Sequence, residues 1–195
     1  MKIYDISQEV FACEVYPGDP VPESVKIYDM NNDDLYNLSS FSMCAHNGTH
    51  IDAPAHFIKN GKTVDEIPLD MFVGNCYVAE INGDVTETDA INILNKANEM
   101  GAGERILIKG KATVTLDAAK IFSEHKIKLI GNESQSVGPL EAPMAVHLAL
   151  LNFDVVLLEG VVLTDVKEGK YFLNAAPLNL KGFEGSPCRA YLIEY

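Results

Sequence analysis

The chain has 195 residues and a mass of 21.3 kDa, the size of one domain spanning 1–195 with room for a substantial core. Fifteen basic residues against 28 acidic ones give a formal charge of −13, which argues against nucleic acid and anionic membranes as partners, because both call for a basic patch. The apolar fraction is that of a folded protein at 47%, no apolar run reaches the roughly 18 residues of a membrane span, and Cys13, Cys44, Cys76 and Cys188 form no C-x-x-C pair. With no signal-peptide pattern ahead of Lys2-Ile3-Tyr4-Asp5, reduced thiols and a cytoplasmic location are expected.

Residues 2–7 predict a short opening strand. Pro17-Gly18-Asp19-Pro20 demands a turn that exposes Tyr16, a ring that either packs over the loop or walls a planar substrate. Strands are expected over 25–30 and 38–44, with a turn at 31–34 between them, and the second delivers the chain into His46.

Three of the five histidines then fall within eleven residues, His46-Asn47-Gly48-Thr49-His50-Ile51-Asp52-Ala53-Pro54-Ala55-His56. A helix would bring His46 and His50 to one face but turn Asp52 away, whereas in an extended chain all even positions project to one side. A straight strand would still hold His46 and Asp52 roughly 20 Å apart at about 3.3 Å per residue, too far for ligand bonds of about 2.0–2.2 Å. The segment must therefore curl. Asn47-Gly48 offers cheap access to positive φ, and Pro54 limits regular structure after Asp52. Two imidazoles and a carboxylate suit zinc, manganese or iron rather than calcium, so a bent loop around one metal is expected. His56 is either a further ligand or an unligated acid/base, a role its ordinary pKa near 6.5 suits. Cys44 reads as a small strand residue rather than a ligand.

After a turn at 59–61, a strand is expected over 76–81. Thr86-x-x-Asp89 resembles a capping box opening a helix to about 98 with Ala90, Ile91, Leu94 and Ala97 as its apolar face, and Gly101 and Gly103 stop it. A buried-type strand at 105–109, a helix at 116–125 capped by Thr115 and a strand at 126–131 follow. The alternation predicts a mixed α/β domain. His125, at a helix C-terminus among lysines, reads as exposed.

The loop 132–139 is polar and follows a strand, a common place for active-site residues. A third helix is expected over 142–151 with Met144, Leu148 and Leu151 on one apolar stripe that His147 shares; taken alone, His147 reads as a satisfied core histidine. Val155-Val156-Leu157-Leu158-Glu159 is a strand of aliphatics ending on a carboxylate, either the first exposed residue or a charge that needs a partner or metal. A strand at 177–180, a turn at 185–187 and a last strand at 189–194 complete the reading.

His46-x-Gly48-Thr49-His50-x-Asp52-x-Pro54-x-His56 resembles the H-x-G-T-H-x-D-x-P-x-H signature of the cyclase-like metal-dependent hydrolases, the family of bacterial-type kynurenine formamidase and isatin hydrolase. The Pro17–Pro20 turn, His147, Glu159 and the terminal Gly185-Ser186-Pro187-x-Arg189 extend the likeness over most of the chain. The resemblance implies a swivelling β/β/α fold and a homodimer or larger homo-oligomer. It implies a first divalent ion held by His46, His50, Asp52 and Glu159, a second by Asp52, Glu159 and His147, with zinc favoured over manganese, and His56 as proton donor and acceptor. The implied reaction is hydrolysis of the C–N bond of a small N-formyl arylamine such as N-formylkynurenine. Opening of a cyclic amide or lactone is the alternative within the family, and a non-catalytic metal-binding protein on the same scaffold is the alternative outside it. The sequence departs from the formamidases at Tyr16, where they carry a tryptophan, and at Asn132-Glu133, where relatives often have an aspartate.

Overall fold

A computed structural model describes residues 1–195. The chain runs through β1 (Lys2–Asp5), β2 (Glu23–Tyr28), β3 (Leu38–Ser42), β4 (His50–Asp52), β5 (Val73–Glu80) and β6 (Gly83–Val85) before its first helix, α1 (Glu87–Glu99). It continues through β7 (Arg105–Lys109), β8 (Ala112–Val114), α2 (Leu116–Glu124), β9 (Leu129–Asn132), α3 (Met144–Leu151), β10 (Val156–Glu159), β11 (Gly169–Asn174), β12 (Gly185–Pro187) and β13 (Tyr191–Glu194).

Nine strands form one sheet in the order β1-β13-β11-β5-β7-β9-β10-β4-β12. Its centre, β5-β7-β9-β10, is parallel, and each step between these strands carries a helix, as a parallel connection requires. The flanks are antiparallel. This is the expected α/β class with a mixed sheet. Thr86 and Asp89 close the expected capping box on α1, the Thr86 side chain accepting from the Asp89 N–H while the Asp89 carboxylate accepts from the Thr86 N–H. Thr115 caps α2 singly, its side chain accepting from the Ala118 N–H.

The pleat sorts the central strands between two cores. Tyr77, Ala79, Ile106, Ile108, Ile130 and Leu157 pack with the helices. Cys76, Val78, Leu107, Leu129, Val156 and Leu158 pack on the opposite face with Ile51 of β4 and Leu173 of β11. Strands far apart in the sheet order thus share one core, so the sheet curls around it. The small β6-β8 pair and the β2-β3 ribbon lie outside the main sheet, and every residue of β2 and β3 is exposed. No helix is long and apolar enough to cross a membrane.

Several expectations need correction. Ile93, not Ile91, completes the buried face of α1; Ile91 is 40% exposed because the face follows 90, 93, 94 and 97, the helical repeat about the α1–sheet contact. On α3 the buried stripe is Val146, His147, Leu150 and Leu151, while Met144 at its first position is exposed. Residues 177–180 are irregular; the strand in this region is β11, where Tyr171 and Leu173 alternate inward. The expected turn at 185–187 is instead β12, paired with β4 at the end of the sheet, where Pro187 is tolerated because an edge strand has donors to spare.

Candidate metal centre

The register of β4 on β10 builds the site. Glu159 lies opposite His50 and Leu157 opposite Asp52. Leu157 belongs to the helix-side core and Ile51 to the other, so His50, Asp52 and Glu159 project together towards the helices. The buried stripe of α3 brings His147 down onto them. All four side chains are buried, with Asp52 at 0% exposure.

The chain before β4 curls as the ligand spacing required. Gly48 takes φ +66°, and Thr49 Oγ1 donates to the Gly160 carbonyl just beyond β10. The side chain of Asn47 donates to Pro20 O at 3.0 Å, tying this loop to the Pro17–Pro20 turn. His46 sits at the rim, its side chain 14% exposed, with its Nδ1 bonded to Asp52 Oδ1 at 2.7 Å and its Nε2 3.3 Å from Glu184 Oε1. Gly185 is required beside it: a Cβ there would lie 2.5 Å from His46 Cε1.

Two histidines are held in one tautomer by the backbone. His50 Nδ1 donates to Gly48 O and His147 Nδ1 donates to Pro143 O, both at 2.9 Å, so each Nε2 faces the carboxylates. His50 Nε2 is 3.4 Å from Asp52 Oδ1 and 3.5 Å from Glu159 Oε2; His147 Nε2 is 3.6 Å from Asp52 Oδ2 and 3.3 Å from Glu159 Oε1. Two donors about 2.0–2.1 Å from one tetrahedral ion stand about 3.3–3.4 Å apart, so these gaps are the width an ion spans. Asp52 Oδ2 is buried without a hydrogen-bond partner, a costly arrangement for a carboxylate that a cation relieves. Glu159 Oε1 is oriented by the Val137 N–H at 2.8 Å. Two groups of donors result, His46-His50-Asp52 and Asp52-His147-Glu159, sharing Asp52. The residues present therefore fit a divalent metal.

The electrostatics agree. Burial by itself would lower all three imidazoles, but the facing Asp52 carboxylate, joined at His50 and His147 by Glu159, reverses the sign. His46 is raised, His50 raised well above its ordinary value, and His147 reaches about 10. Burial works to raise Asp52, yet the surrounding imidazoles of His147, His46 and His50 hold it well below the usual carboxylate range. The centre draws positive charge, as protons or as a cation. His56, half-buried, goes the other way: burial, then the neighbouring His46 and His147, lower its pKa despite Asp52. Its Nε2 stands 3.9 Å from Asp52 Oδ2, and its ring stacks on His46 at 4.1 Å.

Above the cluster opens a cavity of about 260 Å³, with Tyr16 and Phe57 on its walls and Gln135, Ser136 and Pro143 at its sides. The Tyr16 hydroxyl donates to Leu140 O at 2.8 Å, which fixes the ring. Every expected site residue is thus at or around one centre.

A model of the Cyclase family, described as "Putative cyclase", matches residues 4–139. The kynurenine formamidase of Salinibacter ruber is 34% identical over 210 aligned positions, which cover 98% of this chain and 97% of that protein. The chain belongs to the Cyclase family. It is a hydrolase whose site is built for a divalent metal ion. The solved structure of a potential metal-dependent hydrolase with cyclase activity superposes with a TM-score of 0.83 at 29% identity, covering 98% of this chain and 96% of the other. Isatin hydrolase A from Labrenzia aggregata, at 21% identity, shares the fold with a TM-score of 0.80, covering 98% of this chain and 93% of the other.

Within this Cyclase-family site, sequence reasoning missed Glu184, Phe57 and Ser136. Glu184 approaches His46 from the segment ahead of β12 and carries no motif. Ser136 lies in the polar loop after β9, where its hydroxyl is buried and without a partner. Glu133 in that loop has a structural role: its carboxylate accepts from the Gly110 and Leu163 N–H groups, so it joins two loops rather than lining the cavity. Cys44 lines the cavity and belongs to neither donor group, and all four cysteines are free. His125 is exposed, as its sequence context indicated.

Proposed function

We propose that this hydrolase cleaves the C–N bond of a small N-formyl arylamine, with N-formylkynurenine the favoured substrate, using two divalent ions of which zinc is preferred to manganese. The observation that carries the reading is the pair of donor groups sharing buried Asp52 beneath a cavity walled by two aromatic rings. The near full-length similarity to a kynurenine formamidase supports the substrate. His46, His50, Asp52 and Glu159 would hold one ion, and Asp52, Glu159 and His147 the other. A divalent ion in such a site lowers the pKa of bound water from 15.7 towards about 7 and polarises a carbonyl oxygen.

The chain's own groups supply the rest. Tyr16 and Phe57, both on the cavity wall, offer apolar faces to the aryl ring so that the formyl group lies over the cluster. His56 is not needed as a ligand, and its lowered pKa keeps the imidazole neutral at pH 7, able to take a proton from the attacking water. The same nitrogen then hands that proton to the departing aryl nitrogen as the C–N bond breaks, which gives a neutral amine and formic acid, and the acid releases its own proton to solvent to leave as formate. Asp52 stays ionised throughout, and the Val137 N–H holds the Glu159 carboxylate in place.

Homodimer assembly is part of this reading. Val25, Ile27, Leu35 and Phe41 are exposed in and around the β2-β3 ribbon, Leu35 at 94%, and large apolar side chains left open on a ribbon outside the main sheet support a second copy as their cover. A cytoplasmic location is supported by the four free thiols.

The test is a panel of N-formylkynurenine, isatin and a simple lactone with zinc- or manganese-loaded protein. Expected are hydrolysis of the formamide and, for His56→Ala, about two metal equivalents retained with turnover reduced by about 10²–10⁴-fold. Full activity of His56→Ala removes that residue from the mechanism. Bound metal with four protein ligands and no hydrolysis across the panel would instead establish the non-catalytic reading.

A further inference from the structure

The cavity above the metal centre has a second charged feature that the hydrolytic step does not use. Asp19 lies on its wall, from the turn Pro17-Gly18-Asp19-Pro20. The turn closes through the backbone, with the Asp19 N–H donating to Tyr16 O at 3.0 Å, so the carboxylate is not spent on holding it. Its one side-chain contact is the weak thiol donor of Cys44, with Sγ 3.5 Å from Oδ2. No lysine or arginine lines the cavity, and Asp19 makes no ion pair. The other charged groups there, His46, His50, His147 and Glu159, are engaged with one another around Asp52. Asn47, bonded to Pro20 O, anchors the turn to the metal loop, so the carboxylate stands at a fixed place relative to the reacting centre.

A partly buried carboxylate with free lone pairs, on a wall without cations, is a receptor for an ammonium group. We propose that Asp19 is a specificity residue that pairs with the α-ammonium of an amino-acid substrate while the formyl group lies over the metals. The absence of a cationic partner leaves the substrate carboxylate directed to solvent. The assignment rests on the aryl-formamide reading above, and it selects aryl formamides carrying an amino-acid side chain over neutral ones.

Calorimetric titration of the metal-loaded protein with L-kynurenine and with 2-aminoacetophenone, the same aryl ketone without the amino-acid group, tests it apart from turnover. Wild type is expected to favour kynurenine by about tenfold, the worth of one hydrogen bond to a charged group. In Asp19→Asn that ratio should collapse to near one, and Asp19→Glu should restore part of it. The KM for N-formylkynurenine in Asp19→Asn should rise by the same factor while kcat changes little. An equal loss of affinity for both ligands would show that Asp19 only holds the turn and would overturn the proposal. So would a wild type that does not favour kynurenine, or an Asp19→Asn that keeps the preference. Absence of formamide hydrolysis with the binding preference intact would count against the proposed reaction and leave the Asp19 contact standing.

Discussion

The two donor groups that share Asp52 are built in different ways. His46, His50 and Asp52 come from one short stretch, and its outermost member is partly exposed and in direct 2.7 Å contact with the aspartate. Asp52, His147 and Glu159 come from β4, α3 and β10, are all buried, and face one another across gaps of 3.3 Å and 3.6 Å at the His147 Nε2. A local motif delivers donors to one neighbourhood but leaves the ring at its edge free to hydrogen-bond. Packing three separate elements fixes the spacing between donors before any ion arrives. The second group is therefore preformed, whereas in the first the His46 ring is bonded directly to the aspartate.

The largest expected effect breaks both groups at once. Asp52→Ala should take bound metal from about two equivalents to none by elemental analysis, and the loss of several kcal/mol of charge stabilisation corresponds to about 10³-fold or more in turnover. His147→Ala and His46→Ala should each remove one ion. The metal-free proteins should differ, with His147→Ala less stable by about 1–3 kcal/mol in urea unfolding, because it strips a buried partner from two carboxylates. Equal stabilities would contradict the preformed second group.

A subtler change separates the groups without touching a donor. Gly185→Ala would push a methyl into the His46 ring, so the first ion should bind about 10–100-fold more weakly, the usual penalty for disturbing a ligand's support, while the second is retained. Competition titration with a chelator reads the two affinities, and parallel weakening of both would dissolve the distinction.

The smallest effect concerns pH. In the metal-free protein His50 and His147 take the positive charge, and their folded pKa values lie above the unfolded value of about 6.5. Stabilisation from such groups is fully present below about pH 6.5 and is lost as pH rises through the folded value, about 10 for His147. The Tm of chelated protein should therefore fall by several °C between pH 7 and 10, whereas metal-loaded protein, with its imidazoles already neutral ligands, should lack this decline. A flat profile for the chelated form would mean that protons do not stand in for the metal.

Much of the site was legible from spacing alone. His46, His50, Asp52 and His56 share the parity of an extended chain, and Asn47-Gly48 announced the bend, because such geometry is settled within a few bonds. The helix caps at Thr86 and Thr115 are local for the same reason. His147 and Glu159 were readable only through resemblance, since their own surroundings fit a core histidine and a strand end equally well. Register decides them: Glu159 opposite His50 turns that carboxylate towards the helices, and the rotation of α3 buries His147 and exposes Met144. The misread C-terminal segment has a related cause. Gly185-Ser186-Pro187 has the composition of a turn and becomes a strand because β4 offers it an open edge. Sequence by itself determined which donors lie close along the chain and what metal chemistry they permit. The tertiary structure decided which distant carboxylate and imidazole meet them, because strand pairing and helix packing, unlike parity and caps, depend on residues that the chain brings together only when it folds.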